Sequence, residues 1–320
     1  MDGGDARRWT GASLRADGSY LVTVSRDEVA HLAKELPQQF EAPRDEAGAD
    51  RHRPDAAALL GALAARIERP VGHGCGMAIV TGAGLADLTD GQLRYLLYGL
   101  SLVLGRPMAQ NPAGERVVSV LDEHPGDAQA RGYRTNKALL MHTDAADIAG
   151  LLCLQQGSSG GSNAFASAES VHDVLVDEVP ELVHEYYRLW EWDVRGQQRP
   201  GTGPTLSSPV FSYYAGRLRC RYASVLLRQG AARAGGRLTA EQVAALDRFE
   251  EVARRPELQL TYRLSRGESM WLNNYTILHA REAFADEAVS GQVRHLLRTW
   301  IWQHDGPPLA RCFASSREVY

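Results

Sequence analysis

The sequence predicts a mainly β protein, a β-sandwich or jelly roll decorated by helices, and three observations carry that expectation. From Leu139 onward, short apolar runs alternate with turn residues. Helical periodicity is concentrated before that point. Hydrophobic residues make up 44% of the 320, enough for a substantial core, yet no apolar run approaches the length of a membrane span.

Residues 1–20 and 41–54 are expected to be loosely ordered, the latter with the Pro, Asp, Arg and Gly content of a lid. Residues 25–36 read as a helix capped by Ser25 or Asp27, with Val29, Leu32 and Leu36 on one face and Pro37 as its stop. Further helices are expected over 55–68 and 89–104, the second capped by Thr89 or Asp90 and ended by Gly105. A short buried strand at 76–81 lies between them. Residues 115–121 read as a strand and 122–131 as a polar loop. Strands follow at 139–143, 148–154, 209–214, 217–222, 258–264, 269–278 and 294–302. Helices interrupt them at 170–178, 181–187 and 239–255, the last capped by Thr239. One domain over 1–320, with a jelly-roll core at about 139–303, accounts for the whole pattern.

The formal charge is −4 and no block of five basic residues occurs, so neither a nucleic acid nor an anionic membrane is an expected partner. Cys75, Cys153, Cys220 and Cys312 form no CxxC pair and read as small buried hydrophobes in a reducing, cytoplasmic setting. The N-terminus carries no basic region followed by an apolar run, which argues against a signal peptide.

His142-Thr143-Asp144 is the only His-x-Asp or His-x-Glu in the chain. With ten histidines and 39 acidic residues, roughly one such match is expected by chance, so its context must carry the argument. The motif follows an apolar strand, where alternation points residues i and i+2 to the same side and lets both reach one metal. A mononuclear iron oxygenase needs two histidines and a carboxylate with open positions opposite. His279 is the candidate third ligand, at the end of a run in which Trp271, Asn273, Tyr275 and Ile277 share its face. The last strand carries Arg294 and Arg298 on one face. Two arginines in so apolar a strand are costly unless each meets an anion, although ion pairs on an edge strand would also serve.

Taken together, these segments resemble the taurine dioxygenase-like Fe(II)/2-oxoglutarate oxygenases, including the clavaminate synthase-like members. The resemblance runs over roughly residues 58–302. It rests on Gly132-Tyr133-Arg134-Thr135-Asn136, the His142 motif, Leu151-Leu152-Cys153-Leu154, Gly160-Gly161-Ser162-Asn163, the segment Asn273 to Arg281, and Arg294-His295-Leu296-Leu297-Arg298. It implies a double-stranded β-helix core, with His142, Asp144 and His279 as ligands to Fe(II). Arg294 is then the partner of the 2-oxoglutarate 5-carboxylate, and dioxygen is the second co-substrate. After the Gly-Gly turn the family usually has Thr or Ser where this chain has Asn163; Asn163 or Ser162 would take that contact to 2-oxoglutarate. An intact Asp144 favours hydroxylation, desaturation or epoxidation over halogenation. Arg298, Gln110, Asn111, Tyr133 and Asn136 are the candidate contacts to a small-molecule substrate, an amino acid or a natural-product intermediate. A homodimer would be unsurprising. The competing readings are an iron oxygenase that does not use 2-oxoglutarate and a non-catalytic jelly-roll binding protein.

Overall fold

A computed structural model of the chain describes residues 6–44, 57–111, 113–123, 134–195, 201–287, 289, 291–304, 306 and 308–314. Two sheets face each other across an apolar interior. The larger contains, in spatial order, β1 (Leu21–Thr23), β2 (Met77–Thr81), β14 (Ser269–Asn273), β6 (Ile148–Gln155), β17 (His295–Trp302) and β3 (Arg106–Pro107), with β4 (Val117–Val120) also on β17. The smaller runs β13 (Gln259–Tyr262), β8 (Asn163–Ser167), β15 (Ile277–Arg281) and β5 (Leu139–His142). Apart from the parallel pair of β1 and β2, every pairing within these two sheets is antiparallel. Three small ladders complete the set: β7 (Ser159–Gly160) with β16 (Phe284–Ala285), β9 (Trp190–Asp193) with β10 (Thr205–Ser208), and β11 (Phe211–Tyr214) with β12 (Arg217–Cys220).

Alternation along the strands sorts their side chains into three apolar layers. Leu151 and Cys153 of β6, Met270 and Leu272 of β14 and Leu296 of β17 meet Phe165, Leu260 and Ile277 of the smaller sheet in the interior. On the outer face of the large sheet, Ile148, Leu152, Trp271, Leu297 and Ile301 pack under the helices Ala57–Glu68 and Asp90–Leu104. Gly150 makes room for that layer, since a Cβ there would lie 2.7 Å from the Trp271 ring. On the outer face of the small sheet, Met141, Ala166 and Leu278 pack under the helices Ala168–Glu178 and Ala240–Ala253, where Tyr222 stacks on Phe249 at 3.7 Å. The helix starts at Ser25, Thr89 and Thr239 are capping boxes, as their sequences predict.

Several expectations are corrected. Over 6–20 the chain is ordered: Thr10 caps a helix, Gly11–Asp17, and Trp9, Leu14 and Tyr20 are buried in the interior. The expected strand at 269–278 is two strands in different sheets. It breaks because the Asn273 side-chain carbonyl accepts the Tyr275 N–H and turns the backbone. His279 therefore sits inside β15, and Trp271 faces the helices while Ile277 faces the interior. Among the elements not foreseen are β8 and the helix Ser224–Arg233. Of the expected lid, residues 45–54 lie outside the described residues, as do 124–131 of the polar loop. The described cysteines carry no disulfide, and three of the four are buried. Among the described residues, no helix is long and apolar enough to cross a membrane.

Candidate metal centre

His142 closes β5, and His279 is its direct partner across the ladder to β15. Opposed residues of an antiparallel pair point to the same side, so the two imidazoles face one point, with ring centroids 4.2 Å apart. The register is not regular. Leu139 pairs with Arg281 and His142 with His279, so Leu140 and Met141 together stand opposite Ala280. This bulge carries one extra residue on β5 and re-aims its end. The Leu140 carbonyl accepts from His142 Nδ1 at 2.8 Å, which directs Nε2 into the site.

Asp144 lies just beyond the strand, in a loop pinned on both sides. The Thr143 N–H donates to the Tyr222 carbonyl, the Tyr222 N–H returns to Thr143 Oγ1, and the Asp144 N–H donates to Asn274 Oδ1. The carboxylate then stands between the imidazoles, with Oδ1 4.0 Å from His142 Nε2 and Oδ2 3.7 Å from His279 Nε2. Burial works to raise the Asp144 carboxyl. The Arg298 guanidinium, both imidazoles and the Trp300 indole N–H nonetheless hold it below the usual carboxylate range. Burial, reinforced by His142, pushes His279 down to about 3. An ionised carboxylate beside a neutral imidazole is the donor chemistry a divalent cation requires, and the ligand atoms of all three residues lie within 4.8 Å of one another. The set fits Fe(II). Among the described residues one other group of donors comes this close, His184, Glu185 and Glu241. There Glu185 already pairs with Arg188 at 3.0 Å and both His184 and Glu241 are exposed, the pattern of a surface ion-pair network.

The two arginines of the last strand differ. Arg294 is 1% exposed, and neither its Nε nor its Nη1 finds a hydrogen-bond partner. Its guanidinium lies over the Phe284 ring at 4.9 Å and against Gly161, where a Cβ would come within 2.9 Å of Nε. Burial pushes it down to about 10. Such a buried guanidinium with unmatched donors suits a carboxylate, the terminal group of 2-oxoglutarate. Arg298 stacks over Trp300 at 4.4 Å. Its Nε donates to Gln110 Oε1, and its Nη1 stands 3.9 Å from Asp144 Oδ1.

The remaining candidates fall in different places. Asn163 is buried in β8 opposite Arg281, two residues from the partner of His279, and its Nδ2 donates to the Tyr262 carbonyl at 3.5 Å. The Ser162 carbonyl accepts the Glu282 N–H. Gln110 also donates to the carbonyls of Arg116 and Arg298, so its amide holds β17 and its arginine. Asn111 is occupied by its own turn: Nδ2 donates to Glu115 and Oδ1 accepts the N–H groups of Ala113 and Glu115. Asn136 is exposed, and Tyr133 lies outside the described residues. Sequence reasoning missed Trp300, whose Nε1 donates to Asp144 Oδ2 at 2.9 Å, although alternation puts it on the face of Arg298. Asn274, which holds the loop of Asp144, lies inside the segment Asn273 to Arg281, but spacing alone gives it no role.

The profile of the family described as "Taurine catabolism dioxygenase TauD, TfdA family" matches residues 32–300. FR-33289 synthase of Streptomyces rubellomurinus (strain ATCC 31215) is 38% identical over 255 residues, which cover 77% of this chain and 74% of that protein. Among solved structures, asparagine oxygenase in complex with Fe(II), 2S,3S-3-hydroxyasparagine and succinate superposes with a TM-score of 0.66 at 19% identity, covering 88% of this chain and 93% of that one. The non-heme iron oxygenase OrfP, in complex with Fe, succinate and (3S)-hydroxy-L-Arg, gives 0.58 at 16%, with coverage of 88% and 93%. These similarities bear out the double-stranded β-helix core.

Proposed function

Because this chain belongs to the TauD/TfdA family and is an Fe(II)/2-oxoglutarate-dependent oxygenase, we propose that it hydroxylates, desaturates or epoxidises an unactivated C–H position of an amino acid or a natural-product intermediate, with iron held by His142, Asp144 and His279. The observation that carries the site is the convergence of three donors from two strands and a pinned loop, their ligand atoms within 4.8 Å of one another. Bound iron, with 2-oxoglutarate and dioxygen, supplies an oxidant able to take hydrogen from such a carbon, with succinate and carbon dioxide as co-products.

The protein's part is to bind, orient and exclude water. Arg294 pairs with the distal carboxylate of 2-oxoglutarate, since it is buried with two nitrogens unmatched. Asn163 and Ser162 stand after the Gly-Gly turn that accommodates Arg294 and add polar contacts to the co-substrate. Arg298, oriented by Gln110 and Trp300, presents positive charge beside Asp144 to an anionic group of the substrate. Met108, Ala146, Ala149 and Trp300 form an apolar wall next to it. The substrate class is supported by the names of relatives that act on asparagine or were solved with hydroxyarginine, and by FR-33289 synthase, named for its product.

Anaerobic titration of the apoprotein with Fe(II) and 2-oxoglutarate tests the reading. The expected result is a weak visible charge-transfer band that is lost in His142→Ala and His279→Ala, together with loss of succinate release. Retained turnover in either variant overturns the ligand assignment.

A further inference from the structure

We infer that Trp300 is a positioning residue, whose indole N–H holds the Asp144 carboxylate in the one orientation that leaves its other oxygen for the metal. The inference rests on the reading of Asp144 as a ligand. A carboxylate at the end of a loop side chain can rotate, and bind a cation through one oxygen or through both. Here one oxygen is already engaged: Oδ2 accepts from Trp300 Nε1 at 2.9 Å. The backbone beneath is tied separately, through the Asp144 N–H to Asn274. Backbone and head group are therefore held by different elements, β14–β15 on one side and β17 on the other.

Trp300 is itself firmly placed. It is 7% exposed, pairs with Ala149 in the middle of the large sheet, and packs with Met108, Ala146 and Ala149. The Arg298 guanidinium lies 4.4 Å from its ring. A buried indole N–H needs an acceptor, and this one finds it on the candidate ligand rather than on a carbonyl. Trp302, two residues along the same strand, offers the contrast: its Nε1 is buried and meets no hydrogen-bond partner. The hydrogen bond from Trp300 thus ties the large sheet to the metal loop that follows the small one. Partners of this kind orient ligands, and their loss typically weakens metal binding by about 10- to 100-fold.

The test is Fe(II) affinity, measured by anaerobic calorimetry on apoprotein without co-substrate. Trp300→Phe keeps the ring on Arg298 and removes only the donor. We expect it to weaken Fe(II) binding roughly 10- to 100-fold. The charge-transfer band with 2-oxoglutarate should also move to longer wavelength, because a carboxylate relieved of its hydrogen bond is more electron-rich. Trp302→Phe should leave both readings unchanged, and the melting temperature of each apo variant reports folding. In an Asp144→Ala background, Trp300→Phe should have no further effect; an equal loss in both backgrounds means a merely structural role and overturns the inference. Parent-like affinity and band position in Trp300→Phe, with Asp144→Ala impaired, overturn it alone. Parent-like affinity in Asp144→Ala removes the ligand reading and the inference with it.

Discussion

Arg294, just before β17, and Arg298, inside it, stand four residues apart, yet they are treated in opposite ways. Arg298 is clamped by Gln110, which accepts from its Nε and donates to its carbonyl, and the guanidinium rests on the Trp300 ring. Arg294 is more deeply buried and has two nitrogens without partners. An unmatched buried charge is expensive, and a fold keeps one where a ligand completes it. A satisfied charge, by contrast, already belongs to the wall of the site. The difference supports the roles proposed for them, Arg294 as the partner of the co-substrate carboxylate and Arg298 as part of the wall beside the donor set.

The comparison breaks most directly at Arg294. Arg294→Ala should weaken 2-oxoglutarate binding by about 2–5 kcal/mol, roughly 30-fold to a few thousand-fold, while Fe(II) affinity holds. The apo variant should melt no lower than the parent, since no hydrogen bond of that guanidinium is lost. Calorimetry and thermal melting read both; a co-substrate affinity equal to the parent's would remove the assignment. At Arg298 the sign on stability reverses. Arg298→Ala strands Gln110 Oε1 and should cost the apoprotein about 1–3 kcal/mol, seen as a lower midpoint in urea. A midpoint at or above the parent's would mean that the clamp contributes nothing. The smallest effects sharpen the contrast between two neighbouring amides. Gln110→Ala should raise the substrate KM several-fold by loosening Arg298, with kcat little changed. Asn111→Ala should cost about 1 kcal/mol or less of stability and leave KM alone, because its hydrogen bonds stay within its own turn. Equal KM effects from both would erase the distinction.

Much of this was legible in the sequence where periodicity and local chemistry agree. The three capping boxes and the alternating strands of the large sheet follow from residue type and spacing. β8 escaped because Asn163-Ala164-Phe165-Ala166-Ser167 is covered on both faces and so shows no polar alternation. The sequence pattern at 269–278 shows one long strand because the turn depends on the Asn273 side chain, which strand propensity does not register. At the site, residue types pointed to His142, Asp144, His279 and Arg294, and the fold brings the first three together. What spacing could not convey was who holds whom. Gln110 and Asn111 look alike in sequence, and only tertiary contacts assign one to Arg298 and the other to a turn.

The bulge in β5 has a consequence for how such a site can be gained or lost. Continued in regular register with every residue of β5 kept, the ladder from the Leu139–Arg281 pair would set Met141 opposite His279 and swing His142 outward beneath the helices. Every donor would still be encoded and the barrel could still close, but around a thioether in place of an imidazole. The donor set here is thus a property of strand register as much as of residue identity. A one-residue slip of that register, with no change of composition, would separate the assembled donor set from an inert container.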